Sequence, residues 1–264
     1  MALQSALINV MTAAARKAAR GLLRDFGEVE NLQVSLKGPA NFVSAADTRA
    51  ESVLRRELEK ARPGYGFVLE EAGTVAGSDG THRWLVDPLD GTTNFLHGLP
   101  HWAISIALER DGELVAGLVY DPVKDELFWA EKGKGAYVND RRLRVSARKD
   151  MQHALLATGI PFTGRPGHEQ FHAELSAVTD RVAGIRRYGS AALDLAYVAA
   201  GRYEAFWERG LSPWDVAAGI VLVREAGGLV TEIGGKGITL TSPSILAGNQ
   251  NLHQPVSQLL AAAR

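Results

Sequence analysis

The chain has no cysteine among its 264 residues. That absence excludes disulfides, a thiolate nucleophile and any cysteine-based zinc site. Charge of one sign is missing too: 29 basic and 30 acidic side chains leave a net charge of −1. Nucleic-acid-binding surfaces are strongly basic, so no direct nucleic-acid partner is expected. No apolar run approaches the length of a membrane span. Met1 to Phe26 mixes Arg and Lys with Ala and Leu in helical order rather than in one apolar block. No signal peptide is therefore expected, and a cytoplasmic place fits. There is no internal repeat and no low-complexity tract. What remains, 46% hydrophobic and 22% charged, is an ordinary globular composition. The length suits one large domain or two tightly joined smaller ones.

Hydrophobic periodicity divides the chain into two halves, 1–150 and 151–264, read as one compact unit. Leu3, Leu7, Val10, Met11, Ala14, Ala18 and Leu22 recur at three- and four-residue steps, the pattern of an amphipathic helix. Asn31 to Ser35 reads as a short strand and Lys37-Gly38-Pro39 as a loop. A second helix starts near Ala46 and closes at Pro63-Gly64, with Asp47 in its first turn. Tyr65 to Leu69 reads as a strand and Val75 to His82 as a polar loop. Trp102–Glu109, Leu114–Tyr120, Glu126–Glu131 and Ala136–Asn139 follow as strands joined by turn residues. One antiparallel sheet with helices on one face accounts for this half. The second half alternates strands (Ala154–Thr158, Ile185 onward, Tyr203–Trp207, Leu229–Ile233, Ser244–Ala247) with helices beginning near Glu169, Ser190, Ser212 and Val256.

Chemistry concentrates in Trp84-Leu85-Val86-Asp87-Pro88-Leu89-Asp90-Gly91-Thr92-Thr93-Asn94-Phe95. The apolar start reads as a buried strand that stops at the first carboxylate. Two carboxylates three apart beyond that end, on a chain turned by Pro88 and Gly91, can converge on one point. Hard divalent cations take such oxygen ligands and keep room for water and substrate phosphate. Gly91-Thr92-Thr93 then offers N–H groups and hydroxyls where an anion is welcome. A lone Asp-x-x-Asp-Gly is an ordinary turn; the full string is far more specific. Other acids have two readings each. Asp47 complements a helix dipole or faces a metal. Of the adjacent Glu70 and Glu71, one can face inward and the other solvent. Asp215, behind Ser212 and Pro213, fits a capping box, and an acid there also reaches a shared metal. Arg186 is either an anion clamp or one of two strand arginines. His168 and His172 stand four apart but lack the third ligand and acid of zinc motifs. Lys132-Gly133-Lys134-Gly135 lacks phosphate-loop spacing and reads as a hairpin turn.

Together, Asp47 in Val-Ser-Ala-Ala-Asp, Glu70 in Leu-Glu-Glu-Ala-Gly, the Asp87–Phe95 string, Arg186–Leu193 and Trp214-Asp215-Val-Ala-Ala-Gly span most of the chain. In this order they resemble the inositol monophosphatase family, most closely its bacterial branch. Leu69, where many members carry Gly or a polar residue, and a short Val75–His82 loop are the departures. The resemblance implies an α+β fold, a layered α/β/α/β/α sandwich of the type shared with fructose-1,6-bisphosphatase. It also implies a homodimer and Mg²⁺-dependent, lithium-sensitive hydrolysis of myo-inositol monophosphate by direct attack of water. By the same resemblance Glu70, Asp87 and the Leu89 carbonyl hold one Mg²⁺, and Asp87, Asp90 and Asp215 hold a second. Glu70 and Asp47 contribute to a weaker third site. Thr92, with Glu70 or Asp47, orients the water, and the N–H groups of Gly91 and Thr92 receive phosphate oxygens. Arg186, Gly189, Ser190, Ala191 and Glu208 line the alcohol side. Related folds hydrolyse histidinol phosphate, fructose 1,6-bisphosphate, adenosine 3′,5′-bisphosphate or NADP. Bacterial relatives also act as partners in ribosomal RNA transcription complexes.

Overall fold

The computed structural model describes residues 4–28, 34–38 and 41–263, with the backbone alone in 34–38 and 41–44. Two long helices open the chain, α1 (Ala6–Phe26) and α2 (Ala45–Ala61), with a strand pair between them, β1 (Val34–Gly38) and β2 (Asn41–Ser44). This pair corrects the early sequence reading. Lys37 and Gly38 lie in the ladder rather than in a loop, while Asn31 to Gln33 and Pro39 fall outside the described residues. α1 starts where the Ser5 side chain accepts from the Ile8 N–H (3.2 Å), satisfying one of the donors a helix start leaves open.

The first half then builds its sheet from β3 (Gly66–Leu69), β4 (Gly73–Val75), β5 (His82–Asp90), β6 (Ala103–Arg110), β7 (Glu113–Asp121), β8 (Glu126–Glu131), β9 (Gly135–Val138) and β10 (Arg141–Arg142), with a short α3 (Thr92–Leu96) after β5. The order is β10-β9-β8-β7-β6-β5-β3-β4. Every neighbouring pair is antiparallel except β3 with β5. β4 lies within the turn and polar loop expected from sequence; three residues with little apolar content carry no strand signal.

The second half supplies β11 (Leu155–Thr158), α4 (His168–Thr179), β12 (Gly184–Arg186), α5 (Ala191–Ala199), β13 (Ala205–Arg209), α6 (Pro213–Glu225), β14 (Leu229–Thr231), β15 (Ser244–Gly248) and α7 (His253–Ala262). Its sheet runs β12-β11-β13-β15-β14. Helices cover both faces of the first sheet, not one as the sequence suggested. α1 and α2 bury Ile8, Met11, Leu54 and Leu58 against one face with Trp84, Val86 and Ile106. α5 and α6 fill the space between the two sheets, joining Leu193, Leu195 and Ile220 to Leu85, Val119 and Phe206. The outer layer is α4 and α7, which close over Leu156, Trp207 and Leu246. The result is an α/β/α/β/α sandwich. Its middle helices draw on side chains of both halves, and both begin at the site described next.

Candidate active site

The two aspartates of the Asp87–Phe95 string owe their convergence to an irregularity in β5. In a regular strand, residues three apart point to opposite faces. Here Asp87 pairs with Ser105 and Asp90 with Ala103, so three steps on β5 match two on β6. The extra residue is a bulge, and it puts Asp87 and Asp90 on one side. Pro88, which has no N–H to donate, sits within it. The strand therefore continues through Asp90 rather than stopping at Asp87, as the sequence reading had it. Gly91 then turns the chain at φ 95°, a conformation L side chains avoid, and α3 begins at Thr92.

Glu70 arrives by register. β3 runs parallel to β5 with Leu69 opposite Val86, and the Glu70 N–H donates to the Val86 carbonyl (3.3 Å). The turn after it is fixed by the buried Glu51, whose carboxylate accepts from the N–H groups of Glu71 (2.8 Å) and Ala72 (2.9 Å). Asp215 comes from the start of α6, which is tied to β6 where Ser105 Oγ donates to the Trp214 carbonyl (3.1 Å).

Each of three aspartates is tethered through one oxygen. Asp87 Oδ1 accepts from the Leu89 N–H (2.8 Å). Asp90 Oδ2 accepts from the Ala192 N–H (2.8 Å) and from the Ser190 hydroxyl. Asp215 Oδ2 accepts from the Ser212 N–H (2.7 Å), so the capping reading of Asp215 holds while the residue also lines the cavity. The tethers leave the second oxygen of each for the cavity, about 550 Å³ in volume, which Glu70, Asp87, Leu89, Asp90, Gly91 and Thr92 also line.

The electrostatics are those of a site short of positive charge. Burial pushes Asp87 well above the usual carboxylate range, and the charges of Glu70, Asp90 and Asp215 push it further. Asp90 is raised by burial to about 6, against the pull of the Ser190 and Ala192 hydrogen bonds. Asp215 is raised by burial and then by Asp90. Glu208, on the far wall, is raised to about 8, by burial first and then by Asp90. Among the described residues, no three acids or histidines already stand in finished ligand geometry. They share one space and repel one another. Buried carboxylates are stable as anions only when paired or bound to a metal, so this donor set fits a hard divalent cation.

Of the residues expected from sequence, Glu70, Asp87, Leu89, Asp90, Gly91, Thr92, Gly189, Ser190, Ala191, Glu208 and Asp215 line this cavity. Asp47 does not line it. It is fully buried beneath, and its Oδ1 accepts from the Thr92 hydroxyl (3.0 Å), which lies equally near the Leu89 carbonyl (3.0 Å). Arg186 is not brought there. It ends β12, and its Nη1 donates to the adjacent Ile185 carbonyl (3.2 Å). The next arginine, Arg187, lines the cavity instead. His168 and His172 remain on α4.

Sequence reasoning missed two further residues. Asn94 is buried, and its amide donates to the carbonyls of Tyr188 (2.7 Å) and His101 (2.8 Å), stitching α3 to the segment before Ser190. Asp194 is buried in the first turn of α5, with Oδ1 unpartnered. Burial, then Glu208 and Asp90, pushes it well above the usual carboxylate range. An acid in the otherwise apolar Ala191–Ala199 helix was the available signal.

A model of the inositol monophosphatase family matches residues 3–264. The chain is 58% identical over 257 residues to a Rhizobium meliloti protein named inositol-1-monophosphatase, with 97% of each covered. It is 45% identical over 247 residues to the Nus factor SuhB of Pseudomonas aeruginosa, with 92% of this chain and 91% of that protein covered. Among solved structures, the extragenic suppressor protein suhB from Bartonella henselae superimposes with a TM-score of 0.95 at 55% identity, covering 98% of this chain and 99% of that one. Fold, site and relatives agree on a phosphatase. The chain belongs to the inositol monophosphatase family.

The raised carboxylates have a consequence for stability. Asp90 titrates near 6 in the folded chain against an ordinary 3.8. Between those values the folded state holds a proton that the unfolded state has lost. This group's stabilisation is complete below about pH 4 and disappears as pH rises through about 6. In chelator at pH 7, Asp90→Asn should melt a few degrees above the wild type and lose part of the wild type's decline between pH 4 and 7. Thermal melts across that range test this; a variant melting below wild type at pH 7 would show that ionised Asp90 does not destabilise the metal-free fold.

Proposed function

We propose that the chain hydrolyses the phosphomonoester of a polyhydroxylated alcohol, inositol monophosphate, using Mg²⁺. The observation that carries this reading is the set of three tethered aspartates, each with one oxygen left to a cavity that a phosphate-cradling turn also lines. Glu70, Asp87, the Leu89 carbonyl, Asp90 and Asp215 would hold two ions, and Asp47 with Glu70 a weaker third. When bound, Mg²⁺ supplies charge neutralisation and Lewis acidity toward the phosphate and leaving oxygens.

The chain's own groups do the rest. The Thr92 hydroxyl proton is committed to Asp47 Oδ1 and the Leu89 carbonyl. Its oxygen is thereby left as an acceptor that aligns one hydrogen of the attacking water. Glu70 accepts the other as the oxygen approaches phosphorus, in the manner of a general base. The N–H groups of Gly91 and Thr92 face the phosphate oxygens, since first-turn donors have no intrahelical partner. Gly189, Ser190, Ala191 and Glu208 meet the leaving alcohol. No serine, histidine or cysteine arrangement suggests a phosphoenzyme, so water attacks directly.

A cytoplasmic homodimer sensitive to lithium belongs to the same reading by family resemblance. The Nus factor names among the relatives support a second, additional role as a protein partner in transcription complexes. A pull-down from lysate tests it, and no enrichment of transcription proteins over control removes it. For catalysis, phosphate release from inositol 1-phosphate should require Mg²⁺. Asp87→Asn should lower turnover by about 10²-fold or more while melting in chelator no lower than the wild type, since Asp87 is raised by the same burial and like charges. Near-normal turnover in that variant, or release without divalent cation, would contradict the assignment.

A further inference from the structure

The arginine at the alcohol side is one that sequence reasoning passed over. Arg187 lies folded across the turn that precedes Ser190: a Cβ placed on Gly189 would come 2.4 Å from Arg187 Nη1. Gly189, at φ 84°, is the bed on which the guanidinium rests. The other wall has the same construction. The Glu208 carboxylate lies across Gly159, where a Cβ would meet its carboxyl atoms at 2.0 to 2.2 Å. Both charged side chains line the cavity that holds the three tethered aspartates. They lie within electrostatic reach of each other, yet among the described residues neither closes a hydrogen bond or a contact ion pair. Asp194 stands behind them, buried and within reach of both.

A guanidinium and a carboxyl group that face one cavity without meeting leave a gap that asks for a donor and an acceptor together. A hydroxyl group offers both, and two neighbouring hydroxyls offer one role to each wall. We infer that Arg187 is a specificity-determining residue paired with Glu208: Arg187 donates to one hydroxyl oxygen of the leaving alcohol, and Glu208 accepts the proton of its neighbour. The pair reads adjacent hydroxyls on an uncharged ring. A second phosphate fits this wall less well, because it would sit beside Glu208 with Asp194 behind. The other two arginines lining the cavity are already engaged: Arg165 is held by the Gly210 carbonyl (2.8 Å) and the Phe162 ring (4.2 Å), and Arg209 is paired with Glu174 (2.6 Å). This inference rests on the phosphatase reading above.

The test compares wild type, Arg187→Ala and Arg187→Lys on three substrates in Mg²⁺: inositol 1-phosphate, p-nitrophenyl phosphate, which has no hydroxyls, and fructose 1,6-bisphosphate, which carries a second anion. A site built to hydrogen-bond hydroxyls loses discrimination sharply when a partner is removed. Arg187→Ala should raise KM for inositol 1-phosphate about tenfold with kcat within about threefold. The kcat/KM preference over p-nitrophenyl phosphate should fall by a similar factor, and Arg187→Lys should recover part of it. An unchanged preference, or equal losses on all three substrates, overturns the inference. So does a loss greatest on fructose 1,6-bisphosphate, which would make Arg187 a reader of anions. Wild type inactive on all three is a separate failure: it removes the phosphatase reading before any variant is compared.

Discussion

Repulsion among buried carboxylates is the constraint around which this molecule is arranged. The groups that act most strongly on Asp87, after burial itself, are Glu70, Asp90 and Asp215, and all three are negative. Burial and like charges brought together both disfavour ionisation, and they raise the proton affinity of Asp87, Asp90 and Asp215. Such an arrangement persists because the fold fixes each acid independently of the others. The deficit of positive charge is what a hard cation and its phosphate ligand meet.

Each acid is delivered by a different local device, and the layers exist to bring those devices together. The β5 bulge turns Asp87 and Asp90 the same way, and the parallel β3 places Glu70 beside them. The α6 start presents Asp215 while using one of its oxygens as a cap. The α5 start binds Asp90 through Ser190 and Ala192. Because α5 and α6 form the layer between the two sheets, their N-termini bring residues of the second half onto the end of a strand from the first. Burial of Leu193, Leu195 and Ile220 against Leu85 and Val119 thus also sets the geometry of the site. Asn94 adds a polar stitch across the same junction.

Much of this was legible in the sequence, for reasons that differ by element. Long periodic helices such as α1 and α2 announce themselves, and so does a nine-residue string dense with turn residues and acids. The bulge was not legible: Pro88 and Gly91 suggest that a strand ends, and only pairing with β6 shows that it continues. The second covering of the first sheet depends on helices distant in the chain, so local pattern left it out. Arg186 and Arg187 are indistinguishable by type and differ by one position on a strand end, where a step of one residue reverses direction. Asp194 was visible as an acid in an apolar helix, but its neighbours Glu208 and Asp90 come from other layers.

The most direct test of the account is the proton balance of cation binding. If carboxylates near the cavity are partly protonated because they are buried and repel one another, a divalent cation must displace those protons. Calorimetric titration of Mg²⁺ into the wild-type chain at pH 6, repeated in buffers of different ionisation enthalpy, measures that number. The account gives net proton release on binding, smaller at pH 8 than at pH 6 where Asp90 titrates. Binding with no proton release at pH 6, or no binding at all, would contradict it.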